Sequence, residues 1–191
     1  MRISLHSIKT RLLLLLVVIL GLYMLASLYL LSALSSTVER MSDRLFEKGT
    51  GITEMVLNAD RDLYQALAGF LMAISVQLEK EVRDSAAVEY RESLQQSRNL
   101  IAETRARIEQ AGLMDLKDGA DGKTLQELLD EAERGIASWE TKTAQVLDNP
   151  NLYIIRKNEI DADFKTIRGY IDQIETVMVN YQQEAIREEK A

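Results

Sequence analysis

Residues 164–185, "FKTIRGYIDQIETVMVNYQQEA", have the clearest hydrophobic period in the chain and decide its fold class. The apolar residues follow one another at alternating steps of three and four, and they are Phe164, Ile167, Ile171, Ile174, Met178, Tyr181 and Ala185. This spacing lines up one apolar seam along a helix, as in a coiled coil. Such a seam has to be buried against other helices, so the sequence predicts an all-helical protein.

Residues 124–147 show a similar spacing of three and four in a second helix. The seam residues there are Leu125, Leu128, Ala132, Ile136, Trp139, Thr143 and Val146. The stretch opens with "TLQE", in which Thr124 and Glu127 have the spacing of a capping box at a helix start. Because Trp139 falls on the seam, the pattern predicts a core residue and not a platform for a ligand.

The composition favours long helices and offers little material for catalysis. The 191 residues include only 9 glycines, 1 proline and 6% aromatic residues. The chain has no cysteine, which excludes disulfides and thiolate chemistry. The single histidine, His6, lies in the N-terminal tail, and the sequence contains no phosphate-binding loop. We therefore expect that the protein is not an enzyme and uses no cofactor or metal.

Residues 12–34, "LLLLLVVILGLYMLASLYLLSAL", predict a transmembrane helix. The uncharged run is roughly 35 Å long at about 1.5 Å per residue, which suffices for a bilayer core of about 30 Å. A cleaved signal peptide is the alternative, but its apolar region is only about 7–15 residues long. The basic tail at 1–11 is expected in the cytoplasm. A bacterial inner membrane is thus predicted, with residues 35–191 in the periplasm or outside the cell.

Charge is distributed unevenly along the chain. The first 35 residues carry Arg2, Lys9 and Arg11 and no acid, so a net charge of −7 for the whole chain leaves −10 for the remainder. An acidic body repels phosphates, which excludes nucleic acid as a partner. The acidic loop at 112–123 contains Asp115, Asp118 and Asp121, whose spacing does not match the calcium-binding loop of an EF-hand.

The predicted architecture is an N-terminal transmembrane helix followed by an antiparallel up-down-up-down four-helix bundle with long first and last helices. A single helix over 52–111 is the competing layout, but it would need roughly 90 Å of partner surface. Two glycines in "KGTG" (48–51) interrupt the first bundle helix and suggest a bend. The bundle helices are expected at 36–83, 86–111, 124–147 and 152–190.

The polar stretch "LNADRDLYQA" (57–66) lies on the first bundle helix. At about 100° per residue, one face gathers residues that point away from the core, namely Asn58, Arg61, Asp62, Gln65 and Gly69. In one interpretation this face is simply solvated. In the other it meets a second copy of the chain and forms a small polar pocket. The Arg61 guanidinium suits a carboxylate, Asn58 and Gln65 donate and accept, and Asp62 orients Arg61 or receives an ammonium.

The segment "NADRDLYQA" (58–66), after a basic tail and a first transmembrane helix, resembles the N-terminal half of bacterial methyl-accepting chemotaxis receptors. The resemblance implies a periplasmic, homodimeric sensor that binds a small ligand, such as an amino acid or organic acid, between subunits. It also implies that an arginine on the first bundle helix holds the ligand carboxylate. By this resemblance Arg61 is the first candidate contact, with Asn58, Asp62 and Gln65 around it. Tyr153 and Arg156 are candidates by location alone, at the start of the last helix.

Receptors of this family continue into a second transmembrane helix and a cytoplasmic signalling region. The sequence here stops at "YQQEAIREEKA" (181–191), where that second span is expected. A fragment of a receptor and a truncated form both fit this ending. Two other functions fit the same residues: a membrane-anchored helical scaffold or protein-interaction module without a small ligand, and the sensor region of another signalling protein such as a histidine kinase.

Overall fold

The computed structural model describes residues 8–41, 49–117, 119 and 122–188. Within these residues the protein is helical, and the only strand-like feature is an isolated bridge between Lys117 and Thr124. The helices are α1 (Ile8–Met41), α2 (Gly51–Ala73), α3 (Lys80–Ala111), α4 (Leu125–Asp148) and α5 (Leu152–Glu188). The chain divides into two compact units, of which one contains α1 and the other contains α2–α5.

Helix α1 is long and apolar enough to cross a membrane. Its segment Leu14–Ser32 comprises 19 residues with a mean hydropathy of 2.6. The large side chains of this segment are exposed, with Leu28 64% and Leu31 68% accessible. An exposed apolar surface of this length is typical of a helix surrounded by lipid.

Helices α2–α5 share one hydrophobic core. The seam predicted on α5 is buried from Phe164 to Met178, with Tyr181 packed at its edge. All seven predicted seam residues of α4 are buried, and Trp139 is fully enclosed, as expected. On the apolar face of α2, Val56, Leu63 and Phe70 are each 0% exposed. Phe70 belongs to a central aromatic cluster with Tyr90, Trp139, Tyr153 and Phe164.

Helices α2 and α3 approach each other unusually closely. A Cβ atom added to Gly69 would lie 2.9 Å from the backbone nitrogen of Tyr90 and 3.0 Å from the carbonyl oxygen of Ala86. Further along the pair, the Ser97 hydroxyl donates to the backbone carbonyl of Ala59 at 2.9 Å. Small residues therefore bring two backbones together, which adds van der Waals contact between helices.

The other neighbouring helices contact one another through their side chains. Helix α3 also packs on α4, α4 on α5, and α5 on α2. Lys142 of α4 bonds Glu159 and Asp163 of α5, each at 2.7 Å, and these carboxylates raise the pKa of the lysine. At the start of α4, Thr124 and Glu127 form the predicted capping box.

The boundary between α2 and α3 differs from the prediction. We expected one helix at 36–83, a turn at 83–85 and the next helix from 86, but α2 ends at Ala73 and α3 begins at Lys80. Since Gly69 lies against Ala86 and Tyr90, the chain has to reverse midway between them, near residue 78. Tertiary contact thus overrides local propensity in a segment without glycine or proline. The break also excludes the single helix over 52–111.

The remaining boundaries agree more closely. Gly49 and Thr50 form a wider, π-type turn ahead of α2, while residues 42–48 lie outside the described residues. Helix α3 ends at a left-handed Gly112 with φ of 71°, as a glycine after the last turn predicts. Asp118 and Asp121 of the acidic loop also lie outside the described residues. Helix α5 follows the predicted bounds as far as it is described.

Candidate functional site on helix α2

The polar stretch of α2 is divided between two surfaces. Arg61 and Gln65 are exposed and Asn58 is half-buried, in line with a polar outer face. Asp62 is only 3% exposed, however, and Gly69 is buried against α3, so the prediction that both point away from the core was wrong. The reason is the close approach of α3, which widens the buried arc of α2.

Asp62 holds the side chain of Arg61. The Arg61 Nε and Nη2 atoms donate to Oδ1 of Asp62 at 3.2 and 3.0 Å. The Asp62 side chain is 5% exposed, whereas that of Arg61 is 62% exposed. A buried carboxylate therefore fixes one edge of an exposed guanidinium, whose remaining N–H groups face solvent. The second role considered for Asp62, receiving a ligand ammonium, does not suit a carboxylate this deeply buried.

Arg61 lies on an exposed seam of α2. Counting along α2, Leu57, Arg61, Tyr64, Ala68 and Leu71 follow at steps of four, three, four and three, and all five are exposed. The three large apolar members are Leu57 at 49%, Tyr64 at 45% and Leu71 at 40%. We call these five residues the α2 seam. An apolar heptad pattern of this kind is the pattern by which helices pair with one another.

A second arginine, which the sequence did not single out, lies beside this seam. Arg168 of α5 donates to both carboxylate oxygens of Asp60, at 2.8 and 3.2 Å, and this hydrogen bonding raises its pKa. Its guanidinium also stands 4.3 Å from the centre of the Tyr64 ring. The Tyr64 ring in turn meets Phe164 edge-on at 5.5 Å. The register that pairs Tyr64 with Phe164 places Arg168 beside the seam, and the period of a single helix does not reveal that register.

Tyr153 and Arg156 lie far from Arg61 within one chain. The Tyr153 ring packs on Phe70 at 5.9 Å, and burial raises its pKa. Phe70 is nine residues beyond Arg61, a rise of roughly 13 Å along α2. Arg156 donates to the side chain of Gln145 on α4. The structure therefore brings Arg61 and Asp62 together, whereas Tyr153 contacts Phe70 and Arg156 contacts Gln145.

Comparison with protein-family models, with curated proteins and with solved structures finds no match for this chain. Among the residues the structure describes, no group of three or more His, Cys, Asp or Glu side chains is arranged to hold a metal. The α2 seam presents the oriented guanidinium of Arg61, and the amides of Asn58 and Gln65 flank it together with apolar side chains.

Proposed function

We propose that this chain is the anchored, ligand-sensing region of a chemoreceptor-like transducer. In this proposal α1 spans a bacterial inner membrane, and α2–α5 form an extracytoplasmic up-down-up-down four-helix bundle. Two copies pair along their α2 seams as a homodimer. A small ligand, such as an amino acid or an organic acid, binds where the two seams meet and alters signalling for chemotaxis.

The observation that carries the proposal is the α2 seam itself. The half-exposed side chains of Leu57, Tyr64 and Leu71 form a row at heptad spacing, which is the pattern by which one helix packs on another. Pairing two such seams around a twofold axis buries these residues. The same axis brings two copies of Arg61 close together at the centre. The resemblance of "NADRDLYQA" to chemotaxis receptors supports the same surface.

The chemistry of the proposed site follows from the hydrogen bonds by which Asp62 orients the Arg61 side chain. Two guanidinium groups facing each other repel, and an anionic ligand between them relieves that repulsion. Asn58 and Gln65, one turn on either side, supply amide donors and acceptors for the rest of the ligand. Ligand binding then favours one of two packings of α2 against α5, which is how a sensor passes a signal along its helices.

The test is a ligand titration with the full chain in lipid nanodiscs, using a panel of amino acids and organic acids. We expect saturable binding, and Arg61→Ala should weaken it at least about tenfold, the usual loss for a charged hydrogen bond. The matched control is Arg107→Ala, which removes an arginine with 49% side-chain exposure from α3. If the Arg61→Ala variant bound the ligand with wild-type affinity, the assignment of the site to Arg61 would be wrong. A panel without any binder would favour the anchored scaffold instead.

A further inference from the structure

Helix α5 begins with two isoleucines that are almost fully exposed. Ile154 is 85% and Ile155 is 80% accessible. No other large apolar side chain of helices α2–α5 is more than half exposed among the residues that the structure describes. The face of α5 on which each isoleucine lies decides what can cover it.

Ile154 lies on the stripe of α5 that faces α2. It precedes Arg168 by 14 residues and Gln182 by 28, so all three occupy one heptad position of the helix. Arg168 bonds Asp60 of α2 at 2.8 Å. Gln182 donates to the Thr53 hydroxyl of α2 at 3.1 Å. Ile154 therefore lies on the α2 side of α5.

Ile155 lies on the opposite side of α5. It comes one turn before Glu159, and residues four apart share nearly the same face of a helix. Glu159 bonds Lys142 of α4 at 2.7 Å. The two neighbouring isoleucines thus have almost equal exposure, but only Ile154 lies beside the α2 seam.

The last turn of α2 offers an apolar surface at the same level. The ring of Tyr153 contacts the ring of Phe70 at 5.9 Å, which places the next residue, Ile154, level with the end of α2. That turn contains Leu71, the last member of the α2 seam, and Met72, which is 43% exposed. Ile154 and Met72 therefore extend the apolar surface of the seam at this end.

Ile154 and Met72 lie on opposite flanks of the α2 seam. Met72 follows Asn58 and Gln65 at steps of seven, whereas Asp60 lies on the flank that α5 covers. Two copies anchored in one membrane run in the same direction. A twofold axis along their seams then sets the α5 of each copy against the uncovered flank of the other α2.

We propose that Ile154 packs on the partner's Met72 and forms the end of the dimer interface beyond Leu71. The inference rests on the proposed pairing of the α2 seams and adds a contact between α5 of one copy and α2 of the other. The twofold axis repeats this contact, so each dimer buries two exposed isoleucines and two methionines.

The first test is disulfide cross-linking between two differently tagged full chains in one membrane. One chain carries Met72→Cys and the other carries Ile154→Cys, in a sequence that has no cysteine. We expect a disulfide that joins the two tags, because the proposed contact brings the two Cα atoms within about 7 Å. The matched control is Ile155→Cys in place of Ile154→Cys, which should give at least about tenfold less of this product.

A separate cysteine distinguishes this contact from the seam pairing on which it rests. Ala68→Cys in both chains reports on the seams alone, since Ala68 is an exposed member of the α2 seam. If Ala68→Cys forms the dimer while Met72→Cys and Ile154→Cys do not join, the contact is wrong and the seam pairing stands. If neither disulfide forms, both are wrong.

The second test compares aspartate at the two isoleucines. Ile154→Asp should weaken dimerisation at least about tenfold, because it sets a carboxylate against an apolar side chain. Ile155→Asp should leave the dimer unchanged, and Ile154→Leu should retain it. Energy transfer between labelled full chains on dilution in detergent measures the dissociation, and circular dichroism checks the fold. Equal effects of aspartate at the two positions would overturn the proposal.

Discussion

At the scale of single residues, small side chains determine how α2 packs. Ala59, Asp62, Ala66 and Gly69 follow at steps of three, four and three, and all four are buried. The two ends of this buried row, Ala59 and Gly69, contact α3 directly, while Leu57 and Arg61 remain exposed. The pattern is present in the sequence, but apolarity alone does not reveal it, because a carboxylate and a glycine are two of its members. That is why Asp62 was predicted on the wrong face.

Two helical glycines give opposite predictions for the same substitution. Gly69→Ala places a Cβ 2.9 Å from the Tyr90 backbone, and overpacking of this kind costs roughly 1–3 kcal/mol of unfolding free energy. Gly169→Ala meets nothing within 4 Å and should stabilise α5 by roughly 0.5–1 kcal/mol. Urea unfolding of the full chain in detergent, followed by circular dichroism, measures both. Equal effects of the two substitutions would mean that α2 and α3 are not in backbone contact.

At the scale of helices, the hydrophobic period predicted the buried faces of α4 and α5 correctly. The position of the turn between α2 and α3 was predicted wrongly. The seams of α4 and α5 were predicted residue by residue, because a period of three and four over six turns leaves no alternative face. The capping box likewise depends only on local spacing. The turn after Ala73 has no local signal, since its place follows from the contact between Gly69 and Tyr90.

The capping box makes α4 sensitive to acid. The Thr124 backbone N–H donates to Glu127 at 2.8 Å, and this bond lowers the pKa of the carboxyl. Because the folded pKa is lower than the unfolded one, the stabilisation is present above the unfolded value and is lost as the pH falls through the folded value. Glu127→Ala should therefore be less stable than the wild type at neutral pH, and the gap should shrink in acid. Melting curves across this range measure it, and a constant gap would contradict the role of the carboxylate.

At the scale of the whole molecule, the sequence predicted the candidate ligand contacts only in part. Arg61 and Gln65 are exposed as expected, since their spacing from the apolar face decides this. The axial register of α5 against α2 depends on contacts between the two helices, so the hydrophobic period of one helix does not reveal it. The pairing of α2 with α5 sets Arg168, and not Tyr153 or Arg156, next to Tyr64. Contacts between distant segments therefore decide which residues lie beside the α2 seam.

The pairing of two α2 seams is tested most directly by disulfide cross-linking of the full chain in membranes. The sequence has no cysteine, so Ala68→Cys introduces a single thiol within the seam, and Ala106→Cys introduces one on the exposed side of α3. A disulfide needs two Cα atoms within about 7 Å, which only a close helix pair provides. Our account predicts rapid oxidation of Ala68→Cys to a covalent dimer, and slow oxidation of Ala106→Cys. Equal rates for the two variants would contradict it.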